Sequence, residues 1–193
     1  MTGRGFVFLV DRAEVRRGLS QVVTTLILLV VSILLSGVMV YYTVNVVSTR
    51  LQTEEVRLLK EEVWVNSTGA VAALKVQNLG GRDILIDKIE VRSVESSWSN
   101  IYYYRIPRGT SITGNLNVTS YARLTGSSVS IDGHTYAQAT SDIPLVSGGE
   151  LLIYIRGPNS VQLDDIGTTV SFSVFTTLSQ YVTECNVESA SQH

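Results

Sequence analysis

Apolar and charged residues divide this chain into three stretches of different pattern. From Leu19 to Thr49 there is no charged residue, and Val22 to Val47 is dominated by Leu, Ile and Val. As a helix rising about 1.5 Å per residue this run would be roughly 46 Å long, against about 30 Å for the hydrocarbon core of a bilayer. Burying one large aliphatic side chain is worth about 1.5–3 kcal/mol, so a helix of this composition does not stay in water. Lipid or other protein must cover it, and a 193-residue chain with one such element cannot do so alone. From Arg50 to Glu62 charges return around Leu51, Val56, Leu58 and Leu59. Glu54 and Leu58, like Glu55 and Leu59, stand at i,i+4 spacing, so the pattern predicts one helix over 19–62, apolar first and charged afterwards.

Beyond Thr68 the period becomes two. Ala70–Gln77 and Ile84–Val91 flank Asn78-Leu79-Gly80-Gly81, which reads as strand, glycine turn, strand. In the second strand Ile84 and Ile86 alternate in one phase and Ile89 and Val91 in the other, so a bulge is expected at Asp87-Lys88. Val129–Ile131 and Thr135–Ala137 enclose Asp132-Gly133, a strong hairpin signal. With 100–106, 151–155 and 170–175, about seven strands are predicted. The fold class is therefore α+β, a long N-terminal hydrophobic helix followed by an antiparallel, Ig-like β-sandwich head over 63–193.

Charge changes the picture at the amino end. Arg4, Arg12, Arg16 and Arg17 precede the apolar run and end at Gly18, whereas the whole chain carries a formal −2. Nothing after Gly18 is basic enough to follow a phosphate backbone, so no nucleic-acid partner is expected. A secretory signal peptide would have a shorter apolar core and small residues at its cleavage site, unlike Tyr41-Tyr42-Thr43-Val44-Asn45. An uncleaved anchor held amino end inside by Arg16-Arg17 fits the length. So does cleavage after Gly18, which would strip off every leader charge at once, and so does burial of the helix inside an unrelated complex.

Arg16-Arg17-Gly18-Leu19-Ser20 before a long apolar run resembles the class III signal peptide of archaeal type IV pilins and archaellins. The resemblance covers residues 12–60 and implies a leader at 1–18, removed by a prepilin peptidase between Gly18 and Leu19. The mature helix would then leave the membrane and pack with identical copies in the core of an extracellular filament serving adhesion or motility. The implied partners are further copies of the chain, the peptidase, the assembly machinery and, before assembly, the membrane. Bacterial members usually carry glutamate at the fifth mature position, which here is Val23, so the archaeal branch is the nearer likeness. Leu19-Ser20-Gln21-Val22-Val23 is closer to pilins than to archaellins, whose mature helix usually begins with a glycine nearby. Val76-Gln77-Asn78-Leu79-Gly80 and Val146-Ser147-Gly148-Gly149-Glu150-Leu151 resemble two turns of the same family's head domain.

Little else suggests chemistry. His134 and His193 have no second metal ligand at suitable spacing, and no nucleophile motif or phosphate loop occurs. The reading is a non-enzyme without cofactor or resident metal. Asp164-Asp165 with Asp142 or Asp87 could hold calcium, although solvated loop acids are the favoured reading. The sequons Asn66-Ser67-Thr68 and Asn117-Val118-Thr119 mark N-glycosylation candidates, the first expected where helix meets head. Trp98, Tyr102, Tyr103 and Tyr104 form a candidate adhesive patch, or else core with a subunit contact. Cys185 is the single cysteine, so no internal disulfide is possible. The remaining alternative is a monomeric, membrane-anchored surface protein that binds a sugar or a solid surface.

Overall fold

The computed structural model describes residues 12–110, 112–158 and 161–190. They form two compact units, 1–49 and 50–193. The described part of the first lies in one helix, α1 (Arg12–Gln52), and the described part of the second carries eleven strands. The apolar segment is thus helical as expected. Its extension to Glu62 is not: the helix stops at Gln52, and β1 (Val56–Asn66) begins four residues later.

The reason lies in a bulge. β1 pairs antiparallel with β2 (Gly69–Asn78), and the register shifts between Leu59 and Glu62, where Lys60 adopts a positive φ of 57°. Val56 and Leu58 face the main core before the shift, and Val63 and Val65 face it afterwards, so the alternation changes from even to odd positions. The intervening Glu, Lys and Arg are good helix formers, but pairing with β2 outweighs that local preference.

β3 (Ile84–Val91) carries the predicted irregularity at Asp87-Lys88, since Lys88 pairs with Phe175 and Ile86 with Thr176, leaving Asp87 unopposed. All four of its alternating apolar residues thereby reach one core. After the short β4 (Val94–Glu95) come β5 (Ile101–Ile106), β6 (Ser128–Ile131) and β7 (His134–Gln138). The β6–β7 hairpin turns at Asp132 (φ 50°) and Gly133 (φ 76°), the two positive values that a type I′ turn requires. β8 (Ile143–Leu145), β9 (Glu150–Arg156), β10 (Thr169–Thr176) and β11 (Gln180–Ser189) complete the domain.

An Ig-like sandwich would divide these strands between two sheets. They form instead one curled half-barrel in the order β4-β3-β10-β11-β1-β2-β9-β5-β7-β6, with β8 alongside β3. β11 is the joint. It pairs antiparallel with β10, then parallel with β1 through Val63–Val187 and Val65–Ser189. The main core fills one face of the sheet, with Leu74, Ile86, Ile153 and Phe172 fully buried. A second core, with Tyr102, Leu124, Tyr136 and Tyr154, lies on the opposite face of β2 and β9. Those two strands are covered on both faces, which explains why they read as nearly continuous apolar runs.

Candidate functional site

The feature with the clearest functional consequence is α1. Leu19–Thr49 is long and apolar enough to cross a membrane, with a mean hydropathy of 2.6 and none of it buried within the chain. The exposed apolar side chains occur on every side of the helix, from Leu26, Ile27, Leu28 and Leu29 through Val38, Met39 and Val40. No narrow stripe marks one partner, so the segment needs an apolar environment all round.

Six of its Ser and Thr hydroxyls are already satisfied. Ser32 Oγ donates to the Leu28 carbonyl (2.7 Å), Ser36 Oγ to Ser32 (2.8 Å) and Thr43 Oγ1 to Met39 (2.8 Å). Thr24 and Thr49 bond back to carbonyls four residues earlier in the same way, and Thr25 to one three residues earlier. Such back-bonding leaves these positions small without exposing an unpaired donor. Ser32, Ser36 and Gly37 therefore make a low stretch on which another helix backbone can approach, and nothing lies within 4 Å of a Cβ placed on Gly37.

The candidate processing residues lie in the first turns of α1. The Gly18–Leu19 bond is inside the helix, and Leu19 is exposed. The side chains of Arg16, Arg17 and Gly18's neighbours at 12–18 lie outside the described residues, as does the apolar patch Phe6–Val10.

Immediately after α1 the chain is gripped by the Asn78–Gly81 turn. Leu79 N and Gly80 N donate to the Glu55 carbonyl (2.8 and 3.1 Å), and Gly81 N donates to the Thr53 carbonyl (3.3 Å). Asn78, fully buried, organises this turn: its Nδ2 donates to the carbonyls of Arg82 (2.8 Å) and Leu145 (3.2 Å), while its Oδ1 accepts from Gly80 N (3.0 Å). On the other side of the strap, Thr176 Oγ1 donates to the Glu54 carboxylate. Residues 53–55 are thus fixed on both sides by the head. The Asn-x-Gly motif was visible in the sequence; its partner was not, because that segment reads as helix.

The remaining candidates scatter. Asn66 does not directly follow α1 in the chain; it is the last residue of β1, at the turn to β2. There its Oδ1 accepts from Thr68 N (2.9 Å), Thr68 Oγ1 (2.6 Å) and Gly69 N (3.2 Å), an Asx-type cap. Asn117 is exposed, but Thr119 of the same sequon is buried, and its hydroxyl has no partner among the described residues. The aromatic group is divided between the cores. Tyr102 is buried and donates to the Gly126 carbonyl (3.1 Å), Tyr104 stacks on His134 at 4.6 Å, and Trp98 and Tyr103 pack against the main core. They do not form a continuous adhesive surface.

Asp87, Asp142, Asp164 and Asp165 are not brought together, and no cluster of three or more potential metal ligands exists among the described residues. Asp165 is committed instead to Arg92 Nη1 (2.7 Å) and Gln162 N (2.8 Å), which hold its carboxyl below the usual range, the backbone bond contributing most. The Cys185 thiol is half-buried, and burial, assisted by Glu61, Glu62 and Glu188, pushes its pKa up to about 12. It is a packing residue and not a reactive one. Neither a protein-family model nor a curated protein sequence matches this chain.

Proposed function

We propose that this chain is a structural subunit of an extracellular filament of the archaeal type IV class, a pilin-like protein without catalytic activity. The observation that carries the reading is the uncovered apolar surface of Leu19–Thr49, followed within a few residues by a domain with two cores of its own. In a membrane precursor lipid covers the helix. After a prepilin peptidase cuts at Gly18-Leu19, copies of the same helix cover it, with the small stretch at Ser32, Ser36 and Gly37 permitting close contact.

Mass spectrometry of the amino terminus of the native surface protein tests this reading. A terminus at Leu19 is expected; retention of Arg16-Arg17 removes the main support. The back-bonded Ser and Thr hydroxyls suit lipid as well as protein, which favours one second reading, a permanently anchored monomeric surface protein. Mild detergent separates the two, since an anchored monomer dissolves and a filament shears off and pellets.

A further inference from the structure

The two ends of the β-domain carry surfaces of complementary chemistry. Glu150, the first residue of β9, lines a groove of about 350 Å³ whose apolar wall is Ile106, Pro144, Leu145 and Val146 and whose rim carries Arg105 and Arg108. Both arginines are exposed. Arg105 Nη2 donates to the Pro144 carbonyl (3.1 Å) and Arg108 Nη2 to the Ser147 carbonyl (3.3 Å), which fixes the guanidinium groups over the groove. A guanidinium has five N–H donors, so each keeps most of its capacity for a carboxylate.

β9 runs away from this groove for seven residues, roughly 20 Å at about 3.3 Å per residue. The segment that follows it therefore lies at the opposite end. There a 3₁₀ turn, Leu163–Asp165, presents Leu163 (49% exposed) and Ile166 (44% exposed) on either side of the acids. Asp165 is held inward by Arg92 and Gln162 N, as described above, which makes the turn rigid. Its neighbour Asp164 is exposed and has no hydrogen bond or ion pair among the described residues. The turn forms one wall of an open cleft facing Ser67 and Thr68. One pole thus offers apolar side chains and a carboxylate on a pre-organised turn, and the other an apolar groove rimmed by two cations.

We infer that the head domains associate head to tail, the Leu163–Ile166 turn of one copy seated in the Arg105/Arg108 groove of the next. The inference rests on the filament reading above for its occupant, a second copy of this chain. Two different patches at opposite poles make a heterologous contact, which propagates from copy to copy and extends into an open helical array where the rotation between copies does not close a ring. Pre-organisation of both partners lowers the ordering cost of that contact.

Thr110→Cys and Gln162→Cys, beside the two surfaces and leaving Arg108 and Asp164 in place, introduced together in the full chain test it, with each single variant as control. Both positions are exposed, and the half-buried thiol of Cys185, its pKa raised to about 12, reacts slowly by comparison. A short bis-maleimide applied to the assembled protein is expected to give a covalent ladder extending beyond the dimer from the double variant and no ladder from either single variant. Absence of the ladder from intact filaments overturns the head-to-tail contact while leaving the filament reading standing. If micrographs show no filaments, the filament reading fails by itself; the same reaction on concentrated detergent-solubilised chain then decides the contact, a ladder supporting it and its absence overturning it. A charge-reversed pair, Arg108→Glu with Asp164→Arg, gives an independent check. Each single reversal should lower the sedimented fraction several-fold and the pair should restore it; a loss with Arg108→Glu that is neither matched by Asp164→Arg nor restored in the pair overturns the contact.

Discussion

A Cβ placed on Gly80 would stand 2.6 Å from the backbone carbonyl oxygen of Thr53 and 2.8 Å from the backbone nitrogen of Glu55. Neither atom is the end of a flexible side chain, so the turn and the strap after α1 fit only while position 80 has no side chain. Gly80→Ala should therefore destabilise the head by about 2 kcal/mol, in the range of overpacking changes. Gly114→Ala, with nothing within 4 Å of the added carbon, should be nearly silent. Thermal melts of the two variants followed by circular dichroism check the contrast.

Asn78→Ala attacks the same strap from beneath. It leaves the Leu145 and Arg82 carbonyls without their Nδ2 donor and Gly80 N without the side-chain acceptor. Buried groups that lose a partner cost about 1–3 kcal/mol each, so a loss of about 3 kcal/mol is expected in denaturant titration. Asn78→Asp should be comparably harmful, because its carboxylate accepts but cannot donate.

The Glu62 carboxylate opposes folding at neutral pH. Burial foremost, then Glu188 and Glu61, raises the pKa of Glu62 in the folded state. A carboxyl raised on folding favours the folded state while protonated, and that contribution is lost as pH rises through the folded value. Glu62→Gln should thus raise the melting temperature at pH 7 and lose its advantage below about pH 4, where the wild-type carboxyl is protonated in both states. Asp165 has the opposite sign. Its lowered pKa contributes stability above the unfolded value that disappears as pH falls through the folded one, so Asp165→Asn should cost stability at pH 7 and little in strong acid.

Cys185 should react slowly with iodoacetamide at pH 8 in the native protein and rapidly in guanidinium chloride, because its half-buried thiol titrates near 12. A native rate matching the unfolded one would contradict the packing described for β11.

Assembly and folding should separate at Ser36 and Gly37. Leucine at both positions adds bulk to an already exposed helix surface, so the head should melt as before. In the filament reading, pelletable material should fall sharply, because close helix approach is blocked.

Where one physical signal dominated, the sequence was readable. The uncharged run at Leu19–Thr49 is helix, Asp132-Gly133 turns a hairpin, and the change of phase at Asp87-Lys88 is a bulge. Where two signals competed, it was not. The Lys60 bulge hid the alternation of β1 behind helix-forming charged residues. β11 alternates Tyr181, Thr183, Cys185 and Val187 with exposed residues, but half of its inward positions are polar or small, so its apolar signal is faint. The joining of the two halves of the sheet through the parallel β1–β11 pair is a long-range choice that no local window contains. The candidate sites divide in the same way: the apolar helix was legible from composition, whereas the strap on Thr53–Glu55, the split aromatic group and the capping role of Asn66 depend on contacts between distant segments.

The central claim is that copies of this chain shelter one another's apolar helices. Electron microscopy with helical reconstruction of material sheared from the surface of the source cells tests it most directly. The account predicts filaments whose axis is a bundle of identical helices spanning Leu19–Thr49, with the β-domains outside. A surface protein that stays with the membrane fraction, dissolves in mild detergent as a monomer and forms no filament would contradict it.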